Sequence, residues 1–220
     1  MDFLRALIVL HRAFRRSRIS TRVHALIRFL TCPFLRVLRF MPRDTRTMLE
    51  IGAGHGVFSR LAAARGVARI VAVEPDLSKV ANTNRDSIAF VAGFDDVVRG
   101  TFDCIAIMDV LYAIPIAQWD GILARAAGRL RDGGVLLIKE QDPRARIKNA
   151  WNRAQEWLSM TLLRITYAET FNYEDPDAFV ARLGRHGFKV DVRRVDFLYP
   201  HPHIAYIATR ITANTCTGDD

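Results

Sequence analysis

The chain is poor in cysteine and has no long apolar run. Its 220 residues include three cysteines, Cys32, Cys104 and Cys216. An odd count without C-x-x-C spacing argues against a disulfide framework and a zinc cluster, and a reducing compartment is expected. No stretch approaches the roughly 20 apolar residues that a bilayer-spanning helix needs. Early apolar stretches are broken by arginine and no small-residue cleavage site follows them, so no signal peptide is expected. Acid is scarce at one end. Residues 1–43 contain ten arginines, no lysine and a single acid, Asp2, whereas residues 44–220 contain 22 basic and 22 acidic residues. The whole formal charge of +9 therefore belongs to the first fifth of the chain. What is plentiful is hydrophobic residues, at 50%, enough for a core and too many for a disordered chain.

Within residues 1–43 the spacing predicts helices. Phe3, Leu7, Leu10 and Phe14 share one face, with Arg5, Arg12 and Arg16 opposite. A second helix is predicted from about Thr21, with Val23, Ile27 and Leu30 on one side, and Pro33 ends it. Phe34 to Met41 keeps the alternation of apolar residues and arginine. Residues 44–212 change rhythm: strand-length apolar runs alternate with helical stretches, the pattern of an α/β domain with a mainly parallel sheet. Strands are predicted at Met48–Gly52, Ile70–Glu74, Ile88–Ala92, Phe102–Asp109 and Val135–Glu140. Helices are predicted at about 56–65, 76–84, 116–131, 145–165 and 176–186, with 144–175 read as a helical insert or lid. Lys189–Leu198 and Ile204–Arg210 read as a hairpin at one sheet edge, and 213–220 as a frayed tail.

The most informative stretch is Glu50-Ile51-Gly52-Ala53-Gly54-His55-Gly56, where a strand ends in three alternate glycines and runs into a helix. Such a turn lets a ligand approach the backbone. The spacing is G-x-G-x-G rather than G-x-G-x-x-G, and Glu50 just before it would repel a phosphate but not a cationic or zwitterionic ligand. The next strand ends in Glu74, an acid suited to accepting hydrogen bonds from a ribose diol.

In combination these segments resemble the class I S-adenosylmethionine-dependent methyltransferases, over about Thr45 to Glu140. The Asp109-Val110-Leu111 strand end and the Leu130-Arg131-Asp132-Gly133-Gly134 turn belong to the same resemblance. It implies a Rossmann-like, doubly wound, mainly parallel seven-stranded sheet with an antiparallel edge hairpin, preceded by amphipathic helices. It also implies S-adenosyl-L-methionine as cofactor. Gly52, Gly54 and Gly56 would line its methionine part, with Glu50 fixing that loop or meeting the ammonium through water. Glu74 would hold the ribose, Asp95 (or Asp96) the adenine amino group, and Asp109 would sit beside the methionine end. One departure stands out: Ala113 occupies the place where small-molecule members often carry a histidine.

Methyl transfer to oxygen benefits from a general base. His201 and His203 in the hairpin loop, and Tyr112 after the fourth strand, are the catalytic candidates, and no metal is expected. The expected partner is a small acceptor, apolar or aromatic or lipid-linked. The arm 1–43 is expected to cover the site, to touch an anionic membrane surface, or both. Nucleic acid is the less favoured partner, because the arm pairs its arginines with a clean apolar face. An RNA methyltransferase using the arm and a cofactor-binding protein without catalysis are the alternatives. The expected location is the cytoplasm, including the inner face of the membrane.

Overall fold

The computed structural model describes residues 1–80, 87–97, 100–144, 172–199 and 201–211. In chain order the elements are α1 (Phe3–Phe14), α2 (Ile19–Thr31), α3 (Phe34–Leu38), β1 (Thr47–Ile51), α4 (Val57–Arg65), β2 (Arg69–Val73) and β3 (Ile88–Val91). They continue with β4 (Phe102–Met108), α5 (Trp119–Arg129), β5 (Leu130–Gln141), α6 (Pro176–Arg185), β6 (Phe188–Arg194) and β7 (His203–Arg210).

Seven strands form one sheet in the order β3-β2-β1-β4-β5-β7-β6. The first five run parallel; β7 pairs antiparallel with β5 on one side and β6 on the other. The order reverses between β1 and β4, which opens a crevice at their carboxyl ends, where ligands bind in this architecture. The strands that build it are short and rich in β-branched residues, as in Arg69-Ile70-Val71-Ala72-Val73, and their central residues are buried on both faces. The Asp132-Gly133-Gly134 turn lies inside β5 as an irregularity: Phe102 pairs with Leu130, then Cys104 with Val135.

The seven predicted strands are present to within a few residues, and β6 and β7 form the expected hairpin, with β6 at the edge. The helix predicted at 76–84 is corrected: its described part is only a 3-10 turn, Leu77–Lys79, in which the Asp76 carboxylate accepts from the Ser78 N–H at 3.1 Å and ends the extended chain. The helix predicted at 145–165, with most of the 144–175 insert, and the tail 213–220 lie outside the described residues.

The arm packs as part of the domain. One face of the sheet is covered by α4, and α1 to α3 lie on it through Leu10, Phe14, Phe29, Phe34, Val37 and Leu38, all buried. Burying each of these large side chains is worth about 1.5–3 kcal/mol before entropy. Asp2 caps α1 by accepting from the Arg5 N–H at 2.7 Å. One predicted face is present and one is corrected. In α1 the predicted Leu7, Leu10 and Phe14 pack on the core together with Ala6 and Ala13, and Phe3 at the helix start is half-exposed and stacks on Phe29. In α2 the side with Val23, Ile27 and Leu30 turns outward, and Ala25 and Phe29 face the core. The other face of the sheet carries α5 and α6 through Trp119, Leu123, Phe179 and Leu183.

Candidate active site

The glycine turn begins where β1 stops. Gly52, Gly54 and Gly56 have φ of 71°, 54° and 72°, three left-handed positions in five residues. Their surroundings differ. A Cβ on Gly52 would meet Val110 at 2.4 Å and one on Gly56 would meet Phe90 at 2.6 Å, whereas a Cβ on Gly54 would meet nothing within 4 Å. Gly52 and Gly56 are therefore closed by packing, and Gly54 faces open space.

Two buried carboxylates hold this turn. Glu50 Oε2 accepts from the Ser59 N–H at 2.9 Å and from the Ser59 hydroxyl, tying β1 to the first turn of α4. Burial pushes the Glu50 carboxyl up to about 7, against the opposing Ser59 hydrogen bonds. Of the two roles expected for Glu50, its contacts are those of loop fixation. Glu74 Oε2 accepts from the Gly54 N–H at 2.8 Å, and Oε1 accepts from the Asp76 N–H at 3.1 Å and faces Lys79 Nζ at 3.5 Å. A carboxylate oxygen can take two hydrogen bonds, so Oε2 keeps room for a ribose hydroxyl beside the turn. After β3, Asp95 and Asp96 are both exposed, and Asp96 accepts from the Gly93 N–H at 2.9 Å.

Asp109 directly follows β4, with φ of 57°. Its N–H donates to the Lys139 carbonyl at 2.8 Å, its Oδ1 lies 2.5 Å from Lys139 Nζ, and its Oδ2 lies 3.1 Å from Arg28 of α2. The Cys32 thiol donates to Oδ2 at 3.5 Å. Burial opposes ionisation of Asp109, but Lys139 and then Arg28 outweigh it and hold the carboxyl well below the usual range. Next to it, Glu140 Oε1 accepts from the Val110 and Leu111 N–H groups at 3.0 and 2.9 Å, and its Oε2 is buried without a hydrogen-bond partner. Burial and the Asp109 charge push the Glu140 carboxyl upward.

The three catalytic candidates lie around this cluster. The His203 Nε2–H donates to the Thr31 carbonyl of α2 at 2.9 Å, leaving Nδ1 buried and unpartnered. Burial, with Lys139 nearby, pushes His203 down to about 3, so the ring is neutral at physiological pH. His201 is half-buried, its ring 6.0 Å from that of His203. Tyr112 stacks on Tyr173 at 6.4 Å, and burial pushes its phenol up to about 12. With Leu111, Trp119, Glu140 and Phe179, these tyrosines line a small aromatic pocket. α2 closes over the strand ends at three points: Arg28 on Asp109, the Thr31 carbonyl on His203, and His24, whose ring lies 4.7 Å from His55 in the glycine turn.

The structure thus joins Gly52, Gly54, Gly56 and Glu74 into one cradle, and Asp109, Tyr112, His201 and His203 into one cluster beside it. Sequence reasoning missed Lys139, Arg28 and the structural use of Glu140. Lys139 carried a signal, a charge after the apolar run Val135-Leu136-Leu137-Ile138 that demands a buried partner. Arg28 carried none among ten arginines. A left-handed cradle with the Glu74 carboxylate at its edge suits a ligand with a hydroxyl pair, and the ribose of S-adenosylmethionine offers one. Among the described residues no group of three His, Cys, Asp or Glu side chains could hold a metal ion.

Comparison with known proteins gives the same picture. The fold is similar to that of human N-acetylserotonin methyltransferase in complex with SAM: TM-score 0.64, 15% identity, 94% of this chain and 67% of that one. It is similar to magnesium protoporphyrin IX methyltransferase from Synechocystis with bound SAH: TM-score 0.62, 12% identity, 93% of this chain and 94% of that one. It is also similar to an O-methyltransferase family protein from Burkholderia thailandensis: TM-score 0.64, 16% identity, 91% of this chain and 62% of that one. No curated protein sequence matches the chain. The family model described as a methyltransferase domain matches residues 22–192, from within α2 through the glycine turn to β6. With that span matched and the class I fold around its cradle, the chain belongs to the methyltransferase-domain family.

Proposed function

We propose that the protein transfers a methyl group from S-adenosylmethionine to a small apolar or aromatic acceptor, with oxygen the favoured atom. The observation that carries this reading is the open left-handed Gly54, pinned by Glu74 and adjacent to the β4 end that carries Asp109. When bound, S-adenosylmethionine supplies an electrophilic methyl group on a sulfonium. Glu74 accepts from the ribose hydroxyls, and the half-exposed Lys79 side chain is free to swing off it. Asp95 is exposed at the β3 end and takes the adenine amino group. The Gly54 side of the turn leaves the approach clear.

The acceptor belongs against Tyr112, Tyr173 and Trp119, a wall suited to a flat or apolar molecule. His203 is neutral with its Nε2–H committed to Thr31, so Nδ1 is a hydrogen-bond acceptor that can orient an acceptor hydroxyl, and burial makes it a weak base. Tyr112 keeps its phenol proton and acts as a hydrogen-bond donor, not a base. The arm serves as the cover that keeps water from these groups, since α2 touches Asp109, His203 and His55 together. A cytoplasmic setting fits two free, buried thiols, Cys32 and Cys104.

The test pairs calorimetry with a labelled-methyl screen of phenols, alcohols and amines. The expected result is saturable S-adenosylmethionine binding and label in a phenol, lost in His203→Gln with cofactor binding retained. Folded protein that binds no S-adenosylmethionine overturns the reading.

A further inference from the structure

We propose that the outward side of the N-terminal helices, together with the β6–β7 turn, is a docking surface for a bilayer carrying anionic lipid. The first observation is the face of α2 that turns away from the protein. Ile19, Val23, Leu26, Ile27 and Leu30 repeat at i, i+4, i+7, i+8 and i+11, a continuous aliphatic stripe, and each is between 46% and 75% exposed. A surface helix ordinarily buries such a stripe against its own core. Here the inward positions are taken by Ala25 and Phe29 and by the site-facing His24, Arg28 and Thr31. α1 adds Phe3, Leu4 and Ile8 to the exposed surface. Between the helices lies a groove of about 480 Å³, lined by Leu7, Leu10, Phe14 and Leu26 with Arg22 among the lining residues. Apolar surface this extensive marks an interaction site.

A second exposed apolar pair stands next to the arm. Phe197 and Leu198 in the β6–β7 turn are 74% and 86% exposed, and Leu198 holds a φ of 62°. Arg36 of α3 fastens this turn to the arm: its guanidinium lies over Phe197 and Tyr199 at 5.6 and 5.2 Å and donates to the Val195 carbonyl at 3.0 Å. The turn and the helices therefore present their apolar groups from one tethered unit.

Charge decides the occupant. Arg5, Arg12, Arg15, Arg16, Arg18 and Arg22 are exposed and have no ion-pair partner among the described residues, and Asp2, the only acid of the arm, is spent on capping α1. A second copy of this chain would set those arginines against their own kind. A nucleic acid would use the arginines and leave eight exposed apolar side chains of α1 and α2 unserved. An anionic membrane uses both, the guanidinium groups at the phosphates and the aliphatic stripe in the acyl boundary. Among the described residues no helix is long and apolar enough to cross a membrane, so α1 and α2 would lie along its surface. Docking itself does not depend on the methyl-transfer reading.

The experiment is co-sedimentation of the full chain with vesicles of phosphatidylcholine containing phosphatidylglycerol, and with phosphatidylcholine alone. Binding should require the anionic lipid. Arg12, Arg15 and Arg22 replaced together by glutamine should weaken it by roughly 100-fold. Val23→Ser with Ile27→Ser, both at exposed positions that leave the core intact, should weaken it at least about tenfold. Circular dichroism and the thermal midpoint of each variant confirm folding. The proposal is overturned by folded wild-type protein that ignores anionic vesicles, by a serine pair that binds them as well as wild type, or by capture of single-stranded RNA in preference to vesicles. It is equally overturned by a wild-type dimer in solution that the serine pair converts to monomer.

Discussion

Lys139 and Asp109 face each other across the β4–β5 join, Nζ to Oδ1 at 2.5 Å, and the lysine side chain has no exposure to solvent. Lys139 is tenable at this depth only beside Asp109, because an unpaired buried charge is strongly unfavourable, and Asp109 divides its two oxygens between Lys139 and Arg28. Lys139→Met is expected to lower stability by about 3–5 kcal/mol, as measured by chemical denaturation. Adding Asp109→Asn should restore a large part of that loss. If the double variant is no more stable than the single one, the ion pair is not what the lysine serves.

The three glycines of the turn should separate by phenotype. Gly52→Ala and Gly56→Ala drive a methyl group into Val110 and Phe90, so both should lose stability and cofactor binding together. Gly54→Ala meets open space and bears only the left-handed strain, about 1–2 kcal/mol. Gly54→Val adds bulk where a ligand must approach; it should stay folded and fail to bind S-adenosylmethionine. Thermal melts beside calorimetry make the comparison.

Glu74→Ala removes the acceptor offered to the ribose and the anchor of the Gly54 N–H at once. Cofactor affinity should fall by about 1–3 kcal/mol, roughly 5- to 150-fold. Unchanged affinity in a folded variant would reject the assignment of Glu74 to the ribose.

Stability should bend with pH on two sides. His203 is held at about 3 against an ordinary 6.5, so below pH 6.5 the unfolded chain takes the proton first and stability falls on acidification toward pH 3. Glu50 is held at about 7 against 4.5, so between pH 4.5 and 7 the unfolded chain loses its proton first and stability falls as pH rises. Between 4.5 and 6.5 the two slopes oppose one another, each at most about 1.4 kcal/mol per pH unit. In Glu50→Gln one opposing slope is removed while that of Glu140, also pushed upward, remains, so the thermal midpoint should climb more steeply, or fall less, from pH 4.5 to 6.5 than in wild type.

Deleting Met1–Met41 should not yield a tidy domain. Phe14, Phe29, Phe34 and Leu38 share one buried cluster with Phe58 and Leu61 of α4, so the deletion uncovers core. A markedly lower thermal midpoint and aggregation are expected. Arg28→Gln is the gentler probe of the cover: it frees α2 from Asp109 and should weaken S-adenosylmethionine binding while the melt moves little.

Much of this was legible in the sequence because it depends on local rules. β-branched runs fixed the strands, and alternate glycines between a strand and a helix marked the cradle before any contact was known. What escaped depends on long-range pairing. Nothing in the pattern of α2 could tell which of its sides faces inward, because the choice is made by Arg28 reaching Asp109 and by the fit of Ala25 and Phe29 on the core. The same holds for Glu140, which reads as a strand-end acid and acts as the acceptor for two backbone N–H groups 29 and 30 residues earlier. In the described part of the 76–84 helix, residues 76–80, turn chemistry decides otherwise, with Asp76 capping a 3-10 turn.

The position of β7 has a consequence for how the chain is made. It fills the gap between β5 and β6, yet it is synthesised after the six strands that it completes. Until His203–Arg210 leaves the ribosome, β5 shows an unpaired edge along Val135–Gln141 that begins with the apolar run Val135–Ile138, and β6 has no strand beside it. An edge of that kind is a template for pairing with another nascent chain. A frameshift or stop codon shortly before His203 would therefore produce a sticky polypeptide in place of a slightly shortened enzyme, and lesions there should register as loss of soluble protein before they register as loss of turnover.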